Sequence, residues 1–131
     1  MNLTTNFSIK EFECNDGTEI PQKYIDNVKE LAKNLQVLRD EIDLPIHINS
    51  SYRHPEYNKR IGGAKFSQHL TASASDIVVR DMTPKKVAKT ILKLIKNGKM
   101  KEGGVGLYNG FVHYDIRGTK ARWDNSSLFN F

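Results

Sequence analysis

The sequence has almost no cysteine, since Cys14 is the only one among 131 residues. A single cysteine cannot form an intrachain disulfide, so the fold must depend on its hydrophobic core or on a bound metal. A thiol that is alone in a sequence is more typical of a small buried side chain than of a nucleophile. We therefore predict that Cys14 is buried and takes no part in chemistry.

Long hydrophobic runs are also absent. No apolar stretch approaches the roughly 18 residues that a membrane span requires, and the first residues have neither the basic start nor the apolar run of a secretory signal peptide. We therefore expect a protein that is made in the cytoplasm and has no membrane span. Hydrophobic residues make up 38% and charged residues 27% of the chain, which is typical of a globular protein. The length fits one domain, residues 1–131.

Acidic residues are the minority among the charges, with 15 Asp and Glu against 20 Lys and Arg, a net charge of +5 and a pI near 9.3. Positive charge favours nucleic acid, anionic lipid and acidic wall polymer alike, so it selects none of them. A lysine run such as Lys93, Lys96 and Lys99 is most often a solvated face. No nucleic-acid-binding motif or clustered aromatic stack accompanies the charge, and nucleic-acid binding is not expected.

The spacing of apolar residues predicts an α+β fold in which a small antiparallel sheet is backed by helices. From Pro21 onward, apolar residues at steps of four and three between Tyr24 and Ile42 predict a long helix that ends at Leu44-Pro45. Further helices are predicted to begin at Pro55 and at Pro84, because proline is favoured at the first helical position. The predicted strands are residues 46–49, 76–79, 105–108 and 111–117, and residues 64–71 are predicted to be a loop.

Asn109-Gly110 is the strongest hairpin signal in the chain. Side chains alternate across a strand, so one face of the strand that follows carries Phe111, His113, Asp115 and Arg117. The other face carries the apolar set, Val112, Tyr114 and Ile116, which is the natural core face. The row of histidine, carboxylate and guanidinium is either a salt-bridged surface or a site, and by itself it is more typical of a surface.

His69 and Asp76 shift the interpretation of this row from a salt-bridged surface towards a functional site. An aspartate in an apolar strand costs several kcal/mol unless a cation compensates its charge, and the ordinary alternative is an edge position that faces water or an arginine. Together with His113 the pair would supply three zinc ligands, although the spacing of His69 and Asp76 often occurs by chance. Catalytic zinc sites keep a fourth position for water, whereas structural sites usually close with four protein ligands. The sequence therefore favours a metal site with an open fourth position. The other two histidines, His47 and His54, are expected to be structural or solvated rather than metal ligands.

Several motifs occur in order along the chain. They are Ser50-Ser51-Tyr52-Arg53-His54-Pro55-Glu56-Tyr57-Asn58, Gly62-Gly63-Ala64-Lys65, Ser67-Gln68-His69-Leu70 with Asp76, and Gly104 to Tyr108 leading to Phe111 to Gly118. Together they resemble the zinc D-Ala-D-Ala carboxypeptidase family of peptidoglycan peptidases, from about Phe7 to Trp123. The resemblance implies a hedgehog/DD-peptidase fold, one zinc ion per chain and cleavage of peptide bonds in bacterial cell-wall stem peptides. That family includes host wall enzymes and phage endolysins.

The resemblance also implies roles for individual residues. His69, Asp76 and His113 correspond to the zinc ligands, and Arg53 corresponds to an arginine near the scissile carbonyl. A guanidinium there could stabilise the oxyanion or bind a substrate carboxylate; its ordinary alternative is an ion pair with a surface carboxylate. Ser67 resembles a substrate-contacting serine, and its ordinary alternative is a cap of the loop.

The chain departs from the family pattern at two positions. Some relatives place an acidic base three residues before the last histidine, where this chain has Gly110. The chain instead resembles the branch with His-x-Asp, so Asp115 is a candidate either for the general base or for a group that orients a ligand histidine. Ala72 stands where many relatives carry glycine. Alanine narrows the allowed backbone angles, and we expect altered substrate access without loss of zinc binding.

The sequence thus predicts a monomeric zinc metallopeptidase, either a carboxypeptidase or an endopeptidase, that acts on peptidoglycan. Without a visible signal peptide, a phage or prophage lysis enzyme is expected, which reaches the wall at lysis or as part of a virion. The alternative is a non-catalytic, zinc-stabilised module that binds the cell wall, which Gly110 in place of an acid favours.

Overall fold

A five-stranded sheet organises the computed structural model, which describes residues 1–126. Its strands are β1 (Ile46–Ser50), β2 (Ala74–Val79), β3 (Gly104–Leu107), β4 (Val112–Asp115) and β5 (Ala121–Asp124). They lie in the order β1-β2-β4-β3-β5, and neighbours are antiparallel except β3 and β5, which run parallel. The predicted α+β class is confirmed, although β5 and its parallel pairing were not predicted. The predicted domain also includes residues 127–131, which lie outside the described residues.

Three α-helices accompany the sheet among residues 1–126: α1 (Ile25–Ile42), α2 (Pro55–Arg60) and α3 (Pro84–Lys96). The predicted start of α3 is confirmed, because the Thr83 hydroxyl accepts a hydrogen bond from the Lys86 N–H at 3.2 Å and Pro84 follows the cap. Helix α3 packs against β2, β3 and β4, and α1 contacts α3. Within residues 1–126, no helix combines the length and the apolar character that crossing a membrane would require.

The hydrophobic core includes residues from one face of the sheet and from the helices. Val112 and Tyr114 of β4 are fully buried in it, together with Ile77 of β2, and each such side chain contributes about 1.5–3 kcal/mol by its burial. Cys14 is also buried in this core, as predicted. Because side chains alternate along a strand, the residues between these apolar positions project from the opposite face.

Residues 64–71 are not entirely loop, because Gln68–Thr71 form a 3-10 turn. The Ser67 hydroxyl accepts a hydrogen bond from the His69 N–H at 3.1 Å and so caps this turn. Such a short turn has no apolar periodicity, which explains why it was predicted as loop. Ala72 follows it with φ 59°, in the left-handed region that costs an alanine about 1–2 kcal/mol. The remaining 3-10 turns described are Ile9–Phe12 and Gln22–Tyr24.

Candidate metal centre

One row of residues crosses the sheet on the face opposite the core, and we call it the cross-sheet row. Asp76 of β2 lies opposite His113 of β4, His113 lies opposite Gly106 of β3, and Gly106 is paired with Trp123 of β5. A bulge near the end of β1 places Ser50 opposite Asp76. Paired residues have Cβ atoms about 4.5–5.5 Å apart, so the row brings together residues that are distant in sequence.

His69, on the Gln68–Thr71 turn, joins Asp76 and His113 to form a cluster of three donors. Nε2 of His69 lies 3.3 Å from Oδ1 of Asp76, and Nδ1 of His113 lies 3.2 Å from the same oxygen. The three residues are 3%, 6% and 7% exposed. A tetrahedral zinc ion with bonds near 2.0–2.1 Å holds its ligands roughly 3.3 Å apart. The spacing and chemistry of the three donors therefore fit a zinc ion, and the three are placed to bind a metal.

Each histidine of the cluster has a second hydrogen-bond partner that fixes its ring. Nδ1 of His69 lies 2.7 Å from the carbonyl oxygen of Ser51. Since a carbonyl only accepts, Nδ1 carries the proton and Nε2 keeps a lone pair for a metal. Nε2 of His113 donates to Oδ2 of Asp115 at 2.7 Å, which directs Nδ1 towards Asp76. Such outer hydrogen bonds are typical of metal-binding histidines.

The electrostatics of the cluster favour metal binding. Burial lowers the pKa of His69, which keeps its imidazole neutral near pH 7. Burial acts to raise the pKa of Asp76, but hydrogen bonds with His113 and His69 outweigh it and hold that pKa well below its usual range. Burial also acts to lower the pKa of His113, yet hydrogen bonds with Asp115 and Asp76 raise it above its ordinary value. The imidazolium of His113 lies between the two carboxylates, and a metal at Nδ1 would replace the proton that Nδ1 shares with Asp76.

Asp115 is fully buried, and both of its oxygens accept hydrogen bonds. Oδ1 accepts from the Gly104 N–H at 2.9 Å and from Nε of Arg117 at 2.9 Å, while Oδ2 accepts from His113 and from Nη2 of Arg117, each at 2.7 Å. Burial acts to raise the pKa of Asp115, but the hydrogen bonds with His113 and Arg117 hold it well below its usual range. His113 and Asp115 of the charged row are therefore buried on this side of the sheet, where β5 adds Trp123, whereas Arg117 is exposed.

Arg53 follows β1 and points its guanidinium at the cluster. Nη2 donates to Oδ2 of Asp76 at 3.1 Å, Nε donates to Ser50 Oγ at 3.1 Å, and Nη1 donates to Asn58 Oδ1 at 3.3 Å. Its carboxylate partner is thus the buried Asp76 rather than a surface carboxylate. Ser67 caps the turn that carries His69, which was its ordinary alternative, and it also lines the cleft described next.

A cleft of about 500 Å³ opens over the cluster. His69, Asp76 and His113 line it together with Arg53, Ser67, Tyr108, Phe111, Arg117 and Trp123. Phe66 and Ile61, at 85% and 48% exposed, also line it, whereas Asp115 does not. Exposed apolar side chains beside a buried polar cluster are typical of a ligand-binding cleft.

The remaining histidines lie outside the cluster. His47 is exposed on β1. Nδ1 of His54 accepts a hydrogen bond from the Glu56 N–H at 3.2 Å and caps α2. These positions agree with the solvated and structural roles predicted for them.

Comparison with known families agrees with the geometry. A family model for peptidase M15 matches residues 3–115, which include the cluster of donors and Asp115. The chain belongs to the peptidase M15 family. No curated protein matches it. As an M15 member it is a zinc-dependent peptidase of the class that acts on peptidoglycan, and its three donors are placed to hold the metal.

Sequence reasoning missed four residues that shape the centre of this M15 peptidase. They are Gly104, Gly106, Tyr108 and Trp123. A Cβ on Gly104 would lie 2.3 Å from Oδ2 of Asp115, and one on Gly106 would lie 2.3 Å from the Trp123 ring. The available signal was Gly104-Val105-Gly106 at the start of a predicted strand, because alternate glycines leave one face of a strand free for close approach.

Proposed function

We propose that this M15 peptidase hydrolyses peptide bonds in peptidoglycan stem peptides or cross-links at one zinc ion held by His69, Asp76 and His113. The observation that carries the proposal is the spacing of 3.2 and 3.3 Å among three buried donors at an open cleft. Zinc in such a site lowers the pKa of a bound water towards neutrality and polarises a peptide carbonyl. The chain's own residues hold the metal and receive the substrate.

Arg53 is the proposed group for binding the substrate oxygen. Its guanidinium lines the cleft and is already held by Ser50, Asn58 and Asp76, so it needs little reorganisation to stabilise a developing oxyanion or to bind a substrate carboxylate. Ser67 is the proposed substrate contact. Its oxygen accepts from the His69 N–H, which leaves its O–H free to donate into the cleft.

For Asp115 we propose the orienting role rather than that of general base. It is fully buried, does not line the cleft, and accepts hydrogen bonds at both oxygens from His113, Arg117 and Gly104. A general base must come within hydrogen-bond reach of the proton that it removes. The carboxylate instead holds the tautomer of His113 that presents Nδ1 to the metal.

Asp115→Asn distinguishes these two roles. An amide places N–H groups against donors that now bond to a carboxylate, so the His113 ring loses its fixed orientation. We expect zinc affinity to fall by about 10- to 100-fold, measured by competition with a chelator, and hydrolysis at limiting zinc to fall with it. The control is Asp81→Asn at an exposed site, which should keep the affinity. Unchanged zinc affinity with lost turnover would instead identify Asp115 as the base.

The reaction itself is tested by mass spectrometry of muropeptides after digestion of bacterial sacculi. The zinc-loaded protein is expected to release new fragments, and the chelator-treated protein to release none, because the cluster then lacks its metal. Release of D-alanine alone would identify a carboxypeptidase, and opened cross-links or shortened stems an endopeptidase. Undiminished hydrolysis by folded, metal-free protein would refute the proposal.

A cell-wall-binding module without chemistry is the second candidate, and Gly110 in the β3–β4 turn favours it because no acid stands there. Sacculi that bind the protein while their fragment profile stays unchanged would support this candidate. The lysis role in a phage or prophage is part of the main proposal, on the strength of the resemblance to endolysins. Its test is whether an infected or induced host that lacks the protein still lyses on time.

A further inference from the structure

We infer that Trp123 is a positioning residue of the metal centre, which fixes the His113 imidazole by direct ring contact. The inference rests on the proposed function only in taking His113 as a zinc ligand. Trp123 is the single tryptophan of the chain and lies on β5.

Gly106 is what allows this contact. In the cross-sheet row it stands between His113 and Trp123. The ring centroids of His113 and Trp123 are 5.0 Å apart at an angle of 49°. A Cβ on Gly106 would lie 2.3 Å from the indole, so the indole occupies the space that a side chain on β3 would otherwise fill.

The indole is itself held on two sides. Its Nε1–H donates to the Tyr108 hydroxyl at 2.9 Å, and the Tyr108 ring stacks on Phe111 with centroids 4.3 Å apart. The Arg117 guanidinium lies 5.6 Å from the centroid of the Trp123 ring, within the range of a cation–π contact. Trp123 is therefore held in place independently of His113, and its indole can limit the movement of the His113 ring.

A closed set of contacts joins Trp123 with its neighbours. Trp123 contacts His113 and Arg117, and Asp115 accepts hydrogen bonds from both of these residues. Asp115 fixes the hydrogen-bonding edge of the imidazole. Because Gly106 supplies no side chain, the indole bounds the imidazole on the β3 side. Removing it would let the ring tilt while its hydrogen bond to Asp115 survives, and Nδ1 would then leave its position beside Asp76.

The test compares the zinc affinity of Trp123→Leu with that of the unaltered protein by chelator competition. We expect an affinity about 10- to 100-fold weaker, as for other residues that orient metal ligands. The visible absorption bands of the Co²⁺-loaded protein should shift as well, because they report ligand geometry. Trp123→Phe keeps a planar ring and should recover most of the affinity. The matched control is Tyr24→Leu, an aromatic residue that does not line the cleft, which should keep the original affinity.

The outcomes separate the two proposals. If the unaltered protein binds no zinc, the proposed function fails. If it binds zinc and Trp123→Leu shows the same affinity and the same Co²⁺ spectrum, only the positioning role of Trp123 is overturned. Should Trp123→Leu not fold, Tyr108→Phe removes only the hydroxyl that anchors the indole. A shifted Co²⁺ spectrum in that variant then supports the inference, and an unchanged spectrum overturns it.

Discussion

His69→Ala is expected to lose at least about a thousandfold in peptidoglycan hydrolysis, since zinc contributes several kcal/mol of transition-state stabilisation. The variant keeps only Asp76 and His113 of the three donors, and two side chains cannot complete the three-ligand set of a catalytic zinc site. The measurements are bound zinc per chain and the rate of muropeptide release. Both should fall together.

His47→Ala is the matched control for this variant, because His47 is exposed on β1 and stands outside the cluster. It should retain zinc and hydrolysis. His69→Ala that still bound one zinc per chain and released muropeptides at the original rate would remove His69 from the centre. The outer hydrogen bond of His69 to Ser51 would then have only a structural role.

Arg53→Ala is expected to lower kcat/KM by about 100- to 1,000-fold, the usual effect of losing one oxyanion donor, while zinc stays bound. In the unaltered protein, Nη2 of Arg53 lies 3.1 Å from Oδ2 of Asp76. The variant loses this contact but keeps all three metal donors. Arg53→Lys keeps the charge and loses the planar fork, so it should recover only part of the rate. Steady-state kinetics on a soluble stem peptide, with zinc content measured in parallel, check this expectation.

The control for Arg53 is Arg60→Ala on α2. The Arg60 side chain is 69% exposed and lies 4.0 Å from Asp16, so its loss should leave both zinc and rate unchanged. If Arg53→Ala kept the original kcat/KM, the arginine would have only the task of holding Asp76. If Arg53→Ala lost zinc in proportion to activity, the arginine would likewise serve to hold the metal centre rather than to bind substrate.

Local patterns predicted the helices and the central hairpin well. The apolar spacing after Pro21 predicted the long helix, because a helix buries a stripe that repeats along the chain, although α1 itself begins only at Ile25. Thr83-Pro84 and Asn109-Gly110 act through their own backbone geometry. Such signals are read without knowledge of distant contacts.

Local sequence patterns could not predict the register of the sheet. Asp76 and His113 are 37 positions apart, and only the pairing of β2 with β4 places them opposite each other. β5 is a short strand whose pairing with β3 is parallel and follows the hairpin. For that reason Trp123 was missed, and the burial of Asp115 could not be foreseen from the charged alternation of β4 alone.

The sequence nevertheless predicts the three candidate donors. A carboxylate within Ala74–Val79 needs a compensating partner, and this need pointed to Asp76 before any geometry was known. The structure surrounds it with His69, His113 and Arg53, so its charge has three partners among the described residues. What the sequence left open, the role of Asp115, is a question of burial and contact.

Anomalous diffraction at the zinc absorption edge, from crystals of the protein loaded with one equivalent of zinc, locates the metal and so shows whether His69, Asp76 and His113 hold it. We expect one strong peak about 2.0–2.1 Å from Nε2 of His69, an oxygen of Asp76 and Nδ1 of His113, with the open side towards the cleft. A peak at other side chains, or none near these three under full zinc loading, would contradict it.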